Sequence, residues 1–290
     1  MLTLQNVTKK FGSNVALDDV SFEVAPGTVF ALLGENGAGK TTAIRIMLGL
    51  LKPDRGTSTV LGLDSLKDDL QIRRKTGYVP EQPMLYDWMS VVEIGRFISA
   101  FYDEEYWNEY LVLAKQHELP LETKIKSLSK GMRAKVSLCL ALANDPELLI
   151  LDEPTSGLDA LVRREFLESM VRRAESGKTV FLSSHQIAEV ERVADTVAIL
   201  KKGKLIVLEP LETLKETTRT IFVTLKNENQ TEIPCPFETV IEKQIDGRQI
   251  RIIGRNILPN ANEILTADEN VAQFEIAGLG LEEIFVSYMK

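Results

Sequence analysis

Residues Gly34-Glu-Asn-Gly-Ala-Gly39-Lys40-Thr41 fit the spacing GxxxxGK[ST]. The run TVFALL before them has strand character and TTAIRIMLGLL after them has helical character, so the segment joins a strand to a helix N-terminus. Glycines at such a bend let the backbone curve until successive N–H groups and the helix N-terminus face one anion, the requirement for holding a triphosphate. Lys40 is then placed to reach the β- and γ-phosphates, and the Thr41 hydroxyl to enter the octahedral shell of Mg²⁺. A second feature lies in ELLILDEPTSGLD, where Asp152 and Glu153 follow an apolar run. Two carboxylates thus emerge at the C-terminal edge of a buried strand, where α/β proteins hold their ligands. Asp152 suits the metal sphere, and Glu153 suits the orientation and deprotonation of a water attacking the γ-phosphate. The plain alternative for this pair is an acid that caps the turn before Pro154.

These groups need a rigid scaffold. Short β-branched and apolar runs at 29–33, 148–151, 179–183 and 197–200 alternate with helical patterns, which predicts buried parallel strands in an α/β core. Between residues 87 and 143 strand character disappears, and VVEIGRFISAFY and YWNEYLVLAKQHEL carry apolar residues at helical spacing, a helical insertion. After residue 210 the pattern changes again. IFVTL, ETVIEKQ and RQIRII read as strands, with Asp246-Gly247 as a hairpin turn, so a small α+β domain is expected over 218–290 behind a first domain over 1–210. The connecting TLKETT is too short for a flexible tether.

Leu128-Ser129-Lys130-Gly131-Met132 upstream of the acid pair, and His185 after the strand TVFLSS downstream of it, complete a set that resembles the ABC ATPase family over residues 1 to about 210. The resemblance implies a P-loop NTPase cassette with a helical subdomain, binding ATP and Mg²⁺ and hydrolysing ATP. The nucleotide site would comprise Gly34, Asn36, Gly37, Ala38, Gly39, Lys40, Thr41 and Thr42. Phe11 would stack on adenine and His185 would touch the γ-phosphate. In the family two cassettes sandwich two ATPs, so Ser129 and Gly131 would reach the nucleotide of the opposite cassette and Asp159 would link the two sites. The partners implied are a second cassette, identical or different, and an integral membrane permease. The chain would then be cytoplasmic and peripheral on the inner face of the membrane. Taken outside the resemblance, Phe11 is as readily a packing residue, and His117 reads as a surface residue near a helix end.

Two departures from the common family pattern are visible. The signature reads LSKGM in place of LSGGQ, which adds a cation and removes an amide. Gly77-Tyr-Val-Pro-Glu81-Gln82 has glutamate at the usual place of the glutamine that meets metal or water, with glutamine one place later, so both Glu81 and Gln82 stay candidates as metal ligands. Both departures resemble subunits that serve ABC-2-type exporters. The segment between Tyr78 and Ser129, which meets the permease in the family, offers Tyr86, Trp88, Phe101 and Tyr102, aromatics expected more often in a core than at a contact.

Composition narrows the field. A net charge of −8 gives no basic face for nucleic acid. The two cysteines, Cys139 and Cys235, have no metal spacing and are expected to pack as reduced thiols. The start shows no secretory signal pattern, and no apolar run approaches the roughly 20 residues of a membrane helix. Competing readings are an importer subunit or a soluble ABC ATPase acting outside transport. Fused translation ATPases need two copies of each motif, and chromosome-maintenance ATPases need a long coiled coil where only 88 residues separate Lys40 from Ser129.

Overall fold

The computed structural model describes residues 1–156, 158–228 and 232–290. The chain divides into two compact units, Met1–Leu208 and Glu209–Lys290. In order, the first holds β1 (Leu2–Phe11), β2 (Asn14–Val24), β3 (Val29–Leu33), α1 (Lys40–Met47), β4 (Arg55–Val60), β5 (Leu63–Asp64), α2 (Asp69–Lys75) and β6 (Thr76–Val79). The helical insertion follows, with α3 (Val91–Ser99), α4 (Glu104–Gln116) and α5 (Lys130–Leu142). Then come β7 (Leu148–Asp152), α6 (Ala160–Glu175), β8 (Thr179–Ser184), α7 (Ile187–Val193), β9 (Thr196–Lys201) and β10 (Lys204–Pro210), the last running across the division.

A six-stranded sheet ordered β10-β9-β3-β8-β7-β6 forms the centre. Its β3, β6, β7, β8 and β9 pair in parallel, and β3, β7 and β8 are buried along their whole length. Burial on both faces explains why these strands are continuous apolar runs. A second, antiparallel sheet ordered β2-β1-β4-β5 packs into the same core, where Phe22, Phe30 and Phe181 stack with centroids 5.3 and 5.5 Å apart in successive pairs. Its first strands were not separately assigned from sequence. Register shifts along β1 and β2, with left-handed backbone at Asn6 and Asp19, break the alternation that would mark them.

The insertion has its own core, built around Tyr106, Tyr110, Val136 and Cys139. A capping box starts α3, with Ser90 and Glu93 each accepting from the other's backbone N–H. Gly95 on α3 is required by close packing, because a Cβ there would lie 1.9 Å from the Tyr110 ring. Three expectations are corrected here. Tyr86, Trp88 and Phe101 are exposed, Trp88 to 66%, and with Phe97 they form a chain of tilted and T-shaped ring contacts instead of core. His117 is half-buried, and burial lowers its pKa. Cys139 is buried as expected, but Cys235 is exposed.

In the second unit, residues 211–217, read above only as a connection, form α8 (Leu211–Thr217). β11 (Thr218–Leu225), β12 (Phe237–Asp246), β13 (Gln249–Ile257), α9 (Ala261–Ala267), β14 (Val271–Gly278) and α10 (Leu281–Met289) follow. The strands make an antiparallel sheet ordered β12-β13-β11-β14, and Asp246 pairs with Gln249 across a two-residue turn with Gly247 at φ +54°. Arg255 grips both carboxylate oxygens of Glu209 and the Thr217 hydroxyl, so the beginning of this unit is tied to its sheet.

Candidate active site

The glycine loop leaves β3 at its C-terminal end and closes on α1. Gly39, the residue before the helix, has φ +112°, and a Cβ there would sit 2.3 Å from the Ala16 carbonyl oxygen, so the close approach of loop to β2 excludes a side chain. The loop borders an open groove lined by Phe11, Asn14, Ala16, Glu35, Asn36, Gly37, Ala38, Gly39, Lys40, Thr41, Thr42, Glu81 and Glu153. Phe11 is half exposed there, with the Lys9 ammonium 5.5 Å from its ring centroid, so it presents a face to the groove rather than filling core.

Lys40 and Glu153 are both only 6% exposed, and Lys40 Nζ stands 3.0 Å from Glu153 Oε1. The ammonium also donates to the Gly34 carbonyl at 2.7 Å and the Glu35 carbonyl at 3.3 Å. Glu153 Oε2 accepts from the His185 backbone N–H at 3.2 Å and lies 2.7 Å from His185 Nδ1. Its backbone has φ +49°, a left-handed conformation that a glutamate adopts at a cost, and its N–H donates to the Ser183 carbonyl at 3.0 Å. Asp152 ends β7 almost fully buried, accepting from the Ser183 hydroxyl. Tyr78 on neighbouring β6 is pushed up to about 12, mainly by burial and further by the negative charge of Asp152. β7 and β8, adjacent and parallel in the sheet, thus deliver Asp152, Glu153 and His185 to one edge.

Of the other sequence candidates, Glu81 lines the groove and Gln82, also exposed, does not. Ser129, Gly131 and Asp159 also lie outside it. Ser129 caps α5, accepting from Met132 N–H, and Asp159 caps α6, accepting from Leu161 and Val162. They neighbour each other: a Cβ on Gly131 would meet Val162 at 3.6 Å and Asp159 at 4.0 Å. Sequence reasoning missed Ser183, Glu35 and Asn14. The pair of serines that ends the strand TVFLSS, at the same sheet edge as Asp152, was the signal available for Ser183.

The groove can take a phosphate chain against the loop, because the backbone N–H groups and Lys40 supply positive charge there, and the phosphates would compete with the Glu153 carboxylate for Lys40. A divalent cation also fits the donor set: Thr41, Asp152 and Glu81 are hard oxygen donors of the type Mg²⁺ prefers, few enough to leave positions for phosphate oxygens and water. Strand, glycine loop, helix and paired carboxylates at the sheet edge define a P-loop nucleotide hydrolase.

Comparison with known proteins narrows this class. The ABC transporter family model matches residues 17–156. The ABC transporter ATP-binding protein MJ1023 of Methanocaldococcus jannaschii is 38% identical over 71% of this chain and 76% of its own length. YhcH of Bacillus subtilis, another ABC transporter ATP-binding protein, is 32% identical over 99% of this chain and 95% of its own length. The Nod factor export ATP-binding protein I of Cupriavidus metallidurans is 37% identical over 71% of this chain and 70% of its own. Among solved structures, the dimeric post-hydrolysis state of the cassette MJ0796 bound to ADP and Pi aligns with a TM-score of 0.66 and 29% identity, covering 73% of this chain and 99% of that one. The chain belongs to the ABC transporter ATP-binding family and is an ATPase of that family. No helix among the described residues is long and apolar enough to cross a membrane.

Proposed function

We propose that the chain is the ATP-hydrolysing subunit of an exporter whose membrane-spanning permease lies on separate chains, and that ATP closes two cassettes against each other. The observation that carries this reading is the division of the phosphate chemistry. Phe11, the glycine loop, Lys40 and Glu153 surround one groove, while Ser129 and Gly131 stand outside it at the start of α5. A second cassette, docked so that its Ser129 faces this groove, completes the site, and the dimeric form of MJ0796 is a precedent for such pairing.

In this reading adenine stacks on Phe11 and the β- and γ-phosphates replace Glu153 as the partner of Lys40. Freed on one side, Glu153 orients a water. The water oxygen attacks the γ-phosphorus, the bond to the bridging oxygen breaks with its electron pair going to ADP, and the water proton passes to the Glu153 carboxylate. His185, hydrogen-bonded to Glu153, holds that carboxylate and reaches toward the departing phosphate. Mg²⁺, when bound through Thr41, Asp152 and Glu81, supplies neutralisation of phosphate charge.

The exposed cluster of Tyr86, Trp88, Phe97 and Phe101, on and around α3, supports docking to a permease, since a contiguous exposed apolar patch marks an interaction surface. The names of the Nod factor export relatives support the outward direction. Purification of the tagged chain from detergent-solubilised membranes of its native cell, followed by mass spectrometry, tests the assignment. Recovery of a polytopic permease is the expected result, and recovery of soluble proteins alone would contradict it.

A further inference from the structure

Glu189 is a carboxylate that the proposed hydrolysis does not use, yet it is only 7% exposed on α7, four residues beyond His185. Burying a carboxylate is unfavourable unless other groups compensate it, and two residues, Thr155 and Arg163, contact this one. The Thr155 hydroxyl, two positions beyond Glu153 and itself buried, donates to Oε2. Arg163 Nε on α6 lies 2.9 Å from Oε1. The same guanidinium donates to the Leu158 carbonyl at 3.1 Å, immediately before Asp159. One buried anion therefore holds Thr155 directly and Leu158 through Arg163. Both positions lie in sequence between Glu153 and Asp159, and the anion sits on the helix that follows His185.

We propose that Glu189 is a positioning residue that makes the placement of Asp159 follow that of His185, with Arg163 as its relay. The proposal rests on the reading that His185 senses the γ-phosphate and Asp159 faces the second cassette. A displacement of the His185 segment moves Glu189, and with it Thr155 and the Arg163–Leu158 contact. The state of one nucleotide is thereby carried to a residue that faces the second cassette. A leucine of similar volume would fill this position without burying a charge, so packing alone gives no reason for glutamate here.

Two measurements on the full chain test this. In nucleotide-free protein, Glu189→Gln keeps the side-chain volume and removes the charge that holds Arg163. Hydrogen exchange of the Leu161 and Val162 amides, which donate to Asp159, should then quicken by about tenfold or more, while amides of β7 and β8 keep wild-type protection. In steady-state hydrolysis the variant should lose about tenfold in kcat at unchanged nucleotide affinity, and its Hill coefficient for ATP should fall towards about 1. Arg163→Met should do the same, and the double variant should be no worse than either single one, since the two act as a unit. Wild-type exchange at Leu161 and Val162 in Glu189→Gln would overturn the proposal, as would additive losses in the double variant. A wild-type chain that binds ATP without forming a dimer would instead defeat the two-cassette reading, while the exchange experiment would still decide whether Glu189 holds the Asp159 cap.

Discussion

Lys40 and Glu153 form an ion pair nearly closed to solvent, and in the proposed reading each releases the other when a triphosphate enters. Removing the lysine charge leaves Glu153 buried opposite no cation and deprives the phosphates of a charge-assisted donor. Lys40→Ala should therefore weaken ATP binding by about 1.5–3 kcal/mol, roughly ten- to a hundredfold in affinity, measured by titration with a fluorescent ATP analogue. Wild-type affinity in that variant would remove Lys40 from the phosphate site. The two cysteines give a second test at this scale. Burial pushes the Cys139 thiol up to about 12, so it stays protonated and inaccessible at pH 8, whereas Cys235 is exposed. Thiol reagent at pH 8 should label Cys235 in the folded chain and spare Cys139 until denaturant is added, and peptide mass spectrometry would show which residue reacted.

At the scale of elements, the parallel strands were legible because a strand buried on both faces leaves an uninterrupted apolar run, as in VFALL and LLILD. The glycine loop was legible because its backbone conformation demands its residue types, as at Gly39. The antiparallel strands β1 and β2 were less so, since bulges disrupt their period. Residue type alone did not show that Trp88 and Phe101 face solvent, because they sit in the turns on either side of α3, and an aromatic beside a helix reads the same whether it folds back onto a core or faces outward. Nor did spacing reveal the contact of Glu189 with Thr155, which joins positions 34 residues apart through the order of strands in the sheet. The insertion offers its own test. Gly95 lets α3 approach α4 until Tyr110 lies against its backbone, with the Tyr110 hydroxyl donating to the Val91 carbonyl at 2.7 Å. Gly95→Ala should force that ring aside and destabilise the chain by about 1–3 kcal/mol in denaturant unfolding. Unchanged stability would mean that the two helices are not so closely packed.

For the whole molecule, the groove residues all belong to the first unit, and the second unit supplies none of them. Ser129 and Gly131 lie elsewhere on the same unit, outside that groove, and the proposed reading has a second cassette complete the site, which would make turnover a property of a pair. The most direct test is Glu153→Gln, which preserves shape and removes the proton acceptor. With ATP and Mg²⁺ present, light scattering should report a mass close to twice that of the chain, ATP affinity should match wild type, and hydrolysis should fall by about a hundredfold or more. A variant that hydrolyses ATP at the wild-type rate, or that stays monomeric with ATP bound, would contradict the account.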